Sequence, residues 1–127
     1  RFEFVGSLGP ADVIAQMSHC SAFVSTSAIE NSPNSMGEAM MMGLPCVATF
    51  VGGVPDIAEH GKEALLVPFN ETELISDALI RVLTDESLAQ ALADAGRKRA
   101  NINHSRTANR DALLGAYARI ATHGVWS

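Results

Sequence analysis

The sequence predicts an α/β fold in which a parallel sheet of about four strands is covered by helices. Along the first 70 residues, short apolar runs alternate with stretches that have helical periodicity, and segments rich in Gly and Pro separate them. The remainder shows apolar residues at helical spacing only. Alternation of strands and helices is typical of a parallel sheet with covering helices. The length of 127 residues fits one domain.

The strand assignments follow from runs rich in Val, Phe, Leu and Thr. The predicted strands are Phe2–Val5, Ala22–Thr26, Cys46–Thr49 and Leu65–Val67. The loop after each strand contains Gly, Pro or small polar residues, and these loops cover positions 6–10, 27–34, 50–54 and 68–70. A free-standing doubly wound sheet commonly has five or six strands. The chain also begins at Arg1, so we expect it to be a piece of a longer protein with one or more βα units upstream.

Three helical segments are predicted between the strands. The first covers Asp12–His19, and the second covers Ser35–Met42 and ends at Gly43, because Gly and a nearby Pro commonly terminate helices. A helical turn over Pro55–His60 begins with proline, whose fixed φ suits the first helical position.

Residues 71–127 are predicted to be helical throughout. Asn70 is the expected N-cap of a helix with an apolar face that ends near Leu83. A second helix contains Leu88 and Leu92 and ends near the basic residues 97–99, which we interpret as compensating the dipole of its C-terminus. Ser105 is expected to cap a third helix that ends at Gly124. The chain thus divides into a β/α unit over residues 1–70 and a helical part over residues 71–127.

Composition excludes several classes of protein. Apolar residues make up 47% of the chain and the net charge is −5, which argues against disorder, nucleic-acid binding and attraction to anionic membranes. No run of about 20 apolar residues indicates a membrane span. Cys20 and Cys46 are far apart and suggest neither a disulfide framework nor a metal knuckle, so a reducing, cytoplasmic location fits. No histidine lies in a metal-ligand spacing.

The loop at positions 27–34 and the helix that follows it carry the candidate chemistry. In a parallel sheet the loops after the strands share one edge, where ligands bind. The free amides of a helix N-terminus attract anions, and Glu30 and Glu38 flank the small residues of this segment. Carboxylates accept hydrogen bonds from sugar hydroxyls, so the arrangement suits a nucleotide-sugar. Two solvated surface glutamates explain the same spacing, and that alternative stays open.

Helical periodicity bears on Glu38. At about 100° per residue, Met36, Ala39, Met40 and Gly43 fall on one face, and Glu38 lies nearly opposite them. Glu38 is therefore expected to face away from the core.

Three motifs at fixed distances resemble the donor-binding region of group 1 retaining glycosyltransferases of the GT-B fold. They are SAIENSPNSMGEAM at positions 27–40, GLPCVA at positions 43–48 and GGVPDI at positions 52–57. The resemblance covers nearly the whole chain, from Phe2 to about Tyr117. It implies a Rossmann-like sheet that forms the truncated C-terminal, donor-binding half of a GT-B enzyme.

The resemblance also implies roles for individual residues. Glu30 corresponds to a catalytic glutamate beside the transferred sugar, and Glu38 to the glutamate that accepts hydrogen bonds from the ribose hydroxyls. Other positions match residues that hold the donor sugar and phosphate or line the cleft: Ser32, Pro33, Asn34, Ser35, Met36, Gly6, Gly52 and Gly53.

The implied activity is glycosyl transfer with retention from a nucleotide-diphosphate sugar to an unknown acceptor. The resemblance implies no metal and no cofactor besides this donor, and it implies an N-terminal acceptor domain in the same protein as partner. A homodimer of the chain, formed through an exposed strand edge, and a peripheral membrane contact of the full enzyme are further expectations.

Two departures from the family pattern limit these expectations. Glu63-Ala64 stands where the family more often has a glycine before the last strand. The Arg and Lys that neutralise the donor diphosphate in such enzymes are also missing, because Arg1 is the only basic residue in the first 61. We therefore expect weak donor binding and no catalysis by this chain alone.

Two other functions remain open at this point. The first is an epimerase of nucleotide-sugars on the same architecture, which would leave an inverted sugar attached to its nucleotide. The second is a non-catalytic interaction module, which the presence of both Glu30 and Glu38 argues against.

Overall fold

The sheet consists of three parallel strands in the order β1-β2-β3. The computed structural model describes residues 1–103 and 106–123. The strands are β1 (Phe23–Ser25), β2 (Cys46–Thr49) and β3 (Leu65–Val67). In the β1–β2 ladder Phe23 lies opposite Cys46, and in the β2–β3 ladder Val47 lies opposite Leu65. The predicted parallel α/β architecture is confirmed.

Helices connect and follow the strands. They are α1 (Pro10–Met17), α2 (Asn34–Met41), α3 (Val54–Ile57), α4 (Thr72–Thr84), α5 (Glu86–Asn103) and α6 (Arg106–His123). The predicted caps Ser105 and Gly124 lie outside the described residues. Helix α5 runs beyond its predicted end, and Ala100 in its last turns is buried in the core. Among the described helices, none is long and apolar enough to cross a membrane.

The predicted strand Phe2–Val5 is wrong. This segment has no regular secondary structure, and Phe2 and Phe4 are 94% and 97% exposed. A strand is stabilised by a hydrogen-bonded neighbour and by burial of at least one face. The segment has neither, so its strand-like composition does not produce a strand, and the described sheet has three strands instead of four.

The predicted N-cap Asn70 is also wrong. Its φ of +68° is left-handed, and Glu71 occupies the N-cap position without a side-chain capping bond. Asn is among the few residues that adopt this conformation readily, so Asn70 forms part of the turn that precedes α4.

The sheet buries both of its faces. On one face, β2 and β3 pack against Met36 and Met40 of α2 and against Ala100 of α5. On the other face, alternate strand residues pack against Ala78 and Val82 of α4. Burial on both faces explains why β3, and β2 up to Thr49 at its end, are continuous apolar runs.

Arg97 lies in α5 but contacts the C-terminus of α2. Its Nη2 donates a hydrogen bond of 3.3 Å to the carbonyl of Met42, the C-cap of α2. Gly43, with φ +76°, leaves room for the guanidinium, because a Cβ there would collide with it. The prediction that this basic cluster compensates its own helix is therefore wrong for Arg97, which places its charge at the negative end of α2.

The two cysteines are free and lie in different environments. Cys20 is exposed, whereas burial raises the pKa of Cys46 to about 12. Because the thiolate is the reactive form, we expect Ellman's reagent at pH 8 to label one thiol per folded chain and two in 6 M guanidinium. A Cys20→Ser variant should give no rapid labelling when folded. Rapid reaction of that variant would show that Cys46 is accessible.

Candidate functional site

The loop that carries Glu30 connects β1 to α2 at the carboxyl edge of the sheet. Glu30 is half-buried, and neighbouring Ile29 is exposed. Among the described residues, no side chain forms a hydrogen bond or an ion pair with the carboxylate of Glu30 or of Glu38. The position of Glu30 therefore depends on the backbone that bears it.

Two hydrogen bonds tie this loop to β2 and to the turn after it. The hydroxyl of Thr49, the last residue of β2, donates to the carbonyl of Ser27 at 2.6 Å. The amide of Gly53 donates to the carbonyl of Glu30 at 2.9 Å. The segment Ser27–Glu30 is thus held at one end by β2 and at the other by the turn that follows β2.

The two glycines after β2 allow the loops to approach this closely. Gly52 has a φ of +51°, and a Cβ built on it would collide with the carbonyl oxygen of Glu30. A Cβ on Gly53 would lie 2.6 Å from the carbonyl oxygen of Asn31, also inside van der Waals contact. The sequence pointed to this glycine pair as cleft lining, and the structure adds that it packs directly against the backbone of the Glu30 loop.

The N-terminus of α2 follows directly. The amide of Asn34 donates to the carbonyl of Ser32 at 2.7 Å, and the amide of Gly37 donates to that of Pro33 at 3.0 Å. The amides of Ser35 and Met36, in the same turn, have no acceptor among the described residues. No side chain caps this end of the helix, so two donors remain for an anion.

Glu38 lies one turn into α2. The helix buries Met36, Ala39 and Met40 against the sheet and leaves Glu38 exposed, as the helical periodicity predicted. Since α2 begins at Asn34, Glu38 is close in sequence to the free amides and lies on the solvent side of the helix.

Gly6 is exposed and has a left-handed φ of +69°. Among the described residues, no atom lies within 4 Å of where its Cβ would be, and its role as a cleft-lining residue stays a prediction. Gly6 follows a segment without regular structure and not a strand. In the described part of the chain, no three His, Cys, Asp or Glu side chains lie close enough together to hold a metal ion.

Sequence reasoning missed Thr49 and Ser27. They are 22 positions apart and meet only because β1 and β2 are neighbours in the sheet. A polar residue at the end of a fully apolar strand was the available signal, since a buried hydroxyl requires a partner.

Known proteins resemble this chain over much of its length. The family model described as "Glycosyl transferases group 1" matches residues 1–99. N-acetyl-alpha-D-glucosaminyl L-malate synthase of Bacillus anthracis is 36% identical over 61 residues, which are 48% of this chain and 16% of that protein.

Two solved structures share its fold. Sucrose-phosphate synthase from Thermosynechococcus elongatus superposes with a TM-score of 0.82 at 26% identity, over 95% of this chain and 30% of that one. The Anabaena protein HepE, solved in complex with UDP and glucose, gives 0.80 at 24% identity, over 91% of this chain and 32% of that one. The chain thus spans a third or less of each of these relatives. By its family match over residues 1–99, the chain belongs to the group 1 glycosyl transferases.

Proposed function

We propose that this chain is the donor-binding part of a retaining glycosyltransferase and that it binds a nucleotide-diphosphate sugar at the start of α2. The observation that carries the proposal is the pair of unpaired amides at Ser35 and Met36, which lie between Glu30 and Glu38 in one continuous segment. The free amides suit the diphosphate of such a ligand, and the two carboxylates suit its sugar hydroxyls.

The diphosphate is proposed to bind at the N-terminus of α2. Two backbone N–H groups and the positive end of the helix dipole attract an oxyanion without a metal ion. The first 61 residues have one basic residue against six acidic ones, so this attraction is opposed by the local charge. We therefore expect affinity in the millimolar range for the chain by itself.

Glu38 is proposed to accept hydrogen bonds from the two ribose hydroxyls. Its side chain is exposed, and no partner among the described residues competes for its oxygens. An ionised carboxylate offers two acceptor atoms that match a pair of neighbouring hydroxyl donors, and such charge-assisted bonds are stronger than neutral ones.

Glu30 is proposed to act at the transferred sugar. In the reaction the bond between the anomeric carbon and the phosphate oxygen breaks, the nucleoside diphosphate leaves, and a bond forms to the acceptor oxygen, which loses its proton. The transition state of glycosyl transfer has positive charge on the sugar ring, which a carboxylate at a fixed position stabilises. The two hydrogen bonds to the carbonyls of Ser27 and Glu30 hold the backbone that bears this carboxylate.

The relatives support the donor class. HepE was solved with UDP and glucose, which are the parts of a nucleotide-sugar, and the Bacillus anthracis relative is named for an N-acetylglucosaminyl product. Because this chain spans a third or less of those proteins, we propose that transfer requires the longer protein with its acceptor domain. This chain alone should bind donor without turnover.

A titration of the chain with UDP-glucose and GDP-mannose, followed by backbone amide NMR, tests the proposal. We expect shifts at Ser35 and Met36 and about tenfold weaker binding in Glu38→Ala, because one charge-assisted interaction is lost. Glu3→Ala removes an exposed carboxylate outside the segment and should leave the affinity within twofold. A folded chain that shows no shift with either nucleotide-sugar, or equal affinity in both variants, would contradict it.

A further inference from the structure

We propose that Thr49 is a positioning residue, whose buried hydroxyl holds the Glu30 loop in the conformation that binds donor. The inference rests on the proposed function of that loop. It concerns a residue in β2 that is not part of the predicted donor-binding set. Thr49 acts through the backbone of the loop and has no contact of its own with the proposed ligand.

The position of Thr49 in the sheet explains why its side chain matters. The β1–β2 ladder ends with Ser25 opposite Ala48, whereas the β2–β3 ladder continues one residue further, to Thr49 opposite Val67. Beyond Ser25 the Glu30 loop therefore has no further ladder pair with β2. The Thr49 hydroxyl bridges this gap by donating to the carbonyl of Ser27 at 2.6 Å.

The donor of this bond is buried, and its acceptor residue Ser27 is half-buried. Thr49 is 1% exposed and is one of two polar or charged residues in the buried set of the described chain. A hydrogen bond from a buried donor contributes about 1 kcal/mol, because the carbonyl that loses this donor is only partly open to water. The bond thus holds the first residues of the loop against β2 beyond the end of the ladder.

The second anchor lies at Glu30 itself. Gly53 donates to the Glu30 carbonyl, so the backbone between Ser27 and Glu30 is held at both ends and Thr49 supplies the first of the two bonds. The Glu30 carboxylate has no protein partner among the described residues. Loss of the Thr49 bond should therefore loosen the loop on its β1 side and let Glu30 move.

Two variants separate the hydroxyl from the shape of the side chain. Thr49→Val keeps the volume and the β-branched form that suits a strand and removes the donor. Thr49→Ser keeps the donor and removes a methyl group. If the hydroxyl holds the loop, Thr49→Val should change amide exchange and donor affinity, whereas Thr49→Ser should not.

Amide hydrogen exchange on the free chain and a UDP-glucose titration test the proposal together. In Thr49→Val we expect exchange of the Gly53 amide, which donates to the Glu30 carbonyl, to be about fivefold faster and the dissociation constant to be about fivefold higher, the factor for one hydrogen bond. In Thr49→Ser both values should stay within twofold of the parent chain. Val82→Ala, on the buried face of α4, serves as a control that lowers stability away from the loop.

The outcomes are distinct. Equal exchange and affinity in Thr49→Val and the parent chain would overturn the proposal, as would changes in Val82→Ala as large as those in Thr49→Val. A parent chain that binds no UDP-glucose would contradict the proposed function instead. In that case the exchange rates alone decide whether the Thr49 hydroxyl holds the loop.

Discussion

Replacing Gly52 by alanine is expected to destabilise the chain by about 2–5 kcal/mol and to displace the Glu30 loop. The left-handed φ of +51° costs an L-residue about 1–2 kcal/mol. A Cβ at this position also collides with the Glu30 carbonyl oxygen, and forcing atoms into a packed site costs about 1–3 kcal/mol. The obstructing atom belongs to the backbone, so no rotamer change relieves the collision. Urea unfolding measures the loss of stability, and the amide shifts of Glu30 and Gly53 report the displacement.

Gly61 provides the matched control for this substitution. Its φ of +79° is also left-handed, but nothing lies within 4 Å of its Cβ position. Gly61→Ala should therefore lose only the conformational part, about 1–2 kcal/mol, and leave the Glu30 amide unchanged. If the two variants lose equal stability and neither shifts Glu30, the close packing of Gly52 on the loop would have no energetic role.

The elements predicted best from the sequence are those in which every residue is buried. The bounds of β2 and β3 were predicted to the residue, because each is an uninterrupted apolar run between turn-forming residues. The exposed position of Glu38 also followed from periodicity, since the residues on the opposite face of α2 are buried. In both cases the information is local in the chain.

Features that depend on partners distant in sequence were not predictable. Phe2–Val5 has the composition of a strand but no neighbouring strand among the described residues, and composition alone does not show this. Arg97 lies near the predicted end of its own helix, yet it contacts α2, 55 positions earlier in the chain. The bond from Thr49 to Ser27 belongs to the same class, because it exists only once β1 and β2 are paired.

Glu63 carries a buried carboxylate, and its replacement by alanine is expected to cost about 2–4 kcal/mol. The residue is 4% exposed, and its Oε2 accepts the amide of Glu59 at 2.9 Å. Its Oε1 lies 3.6 Å from Nζ of Lys62 and 3.8 Å from Nη1 of Arg99. Truncation leaves a backbone donor and a partly buried guanidinium without their acceptor, and such losses are costly. Urea unfolding of Glu63→Ala against the parent chain measures this effect.

Because Glu63 contacts Arg99, the loss of stability in Glu63→Ala should extend beyond the turn that contains Glu63. Another nitrogen of Arg99 donates to the carbonyl of Asp56 at 3.2 Å, so the Glu63–Arg99 pair joins α5 to the segment between α3 and β3. Hydrogen exchange in Glu63→Ala should therefore increase at both sites of this contact. A loss confined to the turn at Gly61–Ala64 would contradict such a role.

Glu59 supplies the matched comparison, because it contacts the same lysine at the same distance of 3.6 Å while its side chain is 68% exposed. An exposed ion pair contributes about 0–1 kcal/mol, since water competes for both charges and salt screens them. Glu59→Ala should thus change stability by less than about 1 kcal/mol, and less still in 1 M NaCl. The Glu63→Ala effect should persist at high salt, because most of it comes from the lost hydrogen bond to the Glu59 amide and from the emptied buried position of Glu63, which salt does not screen. Equal losses in the two variants would mean that the burial of Glu63 adds nothing to the fold.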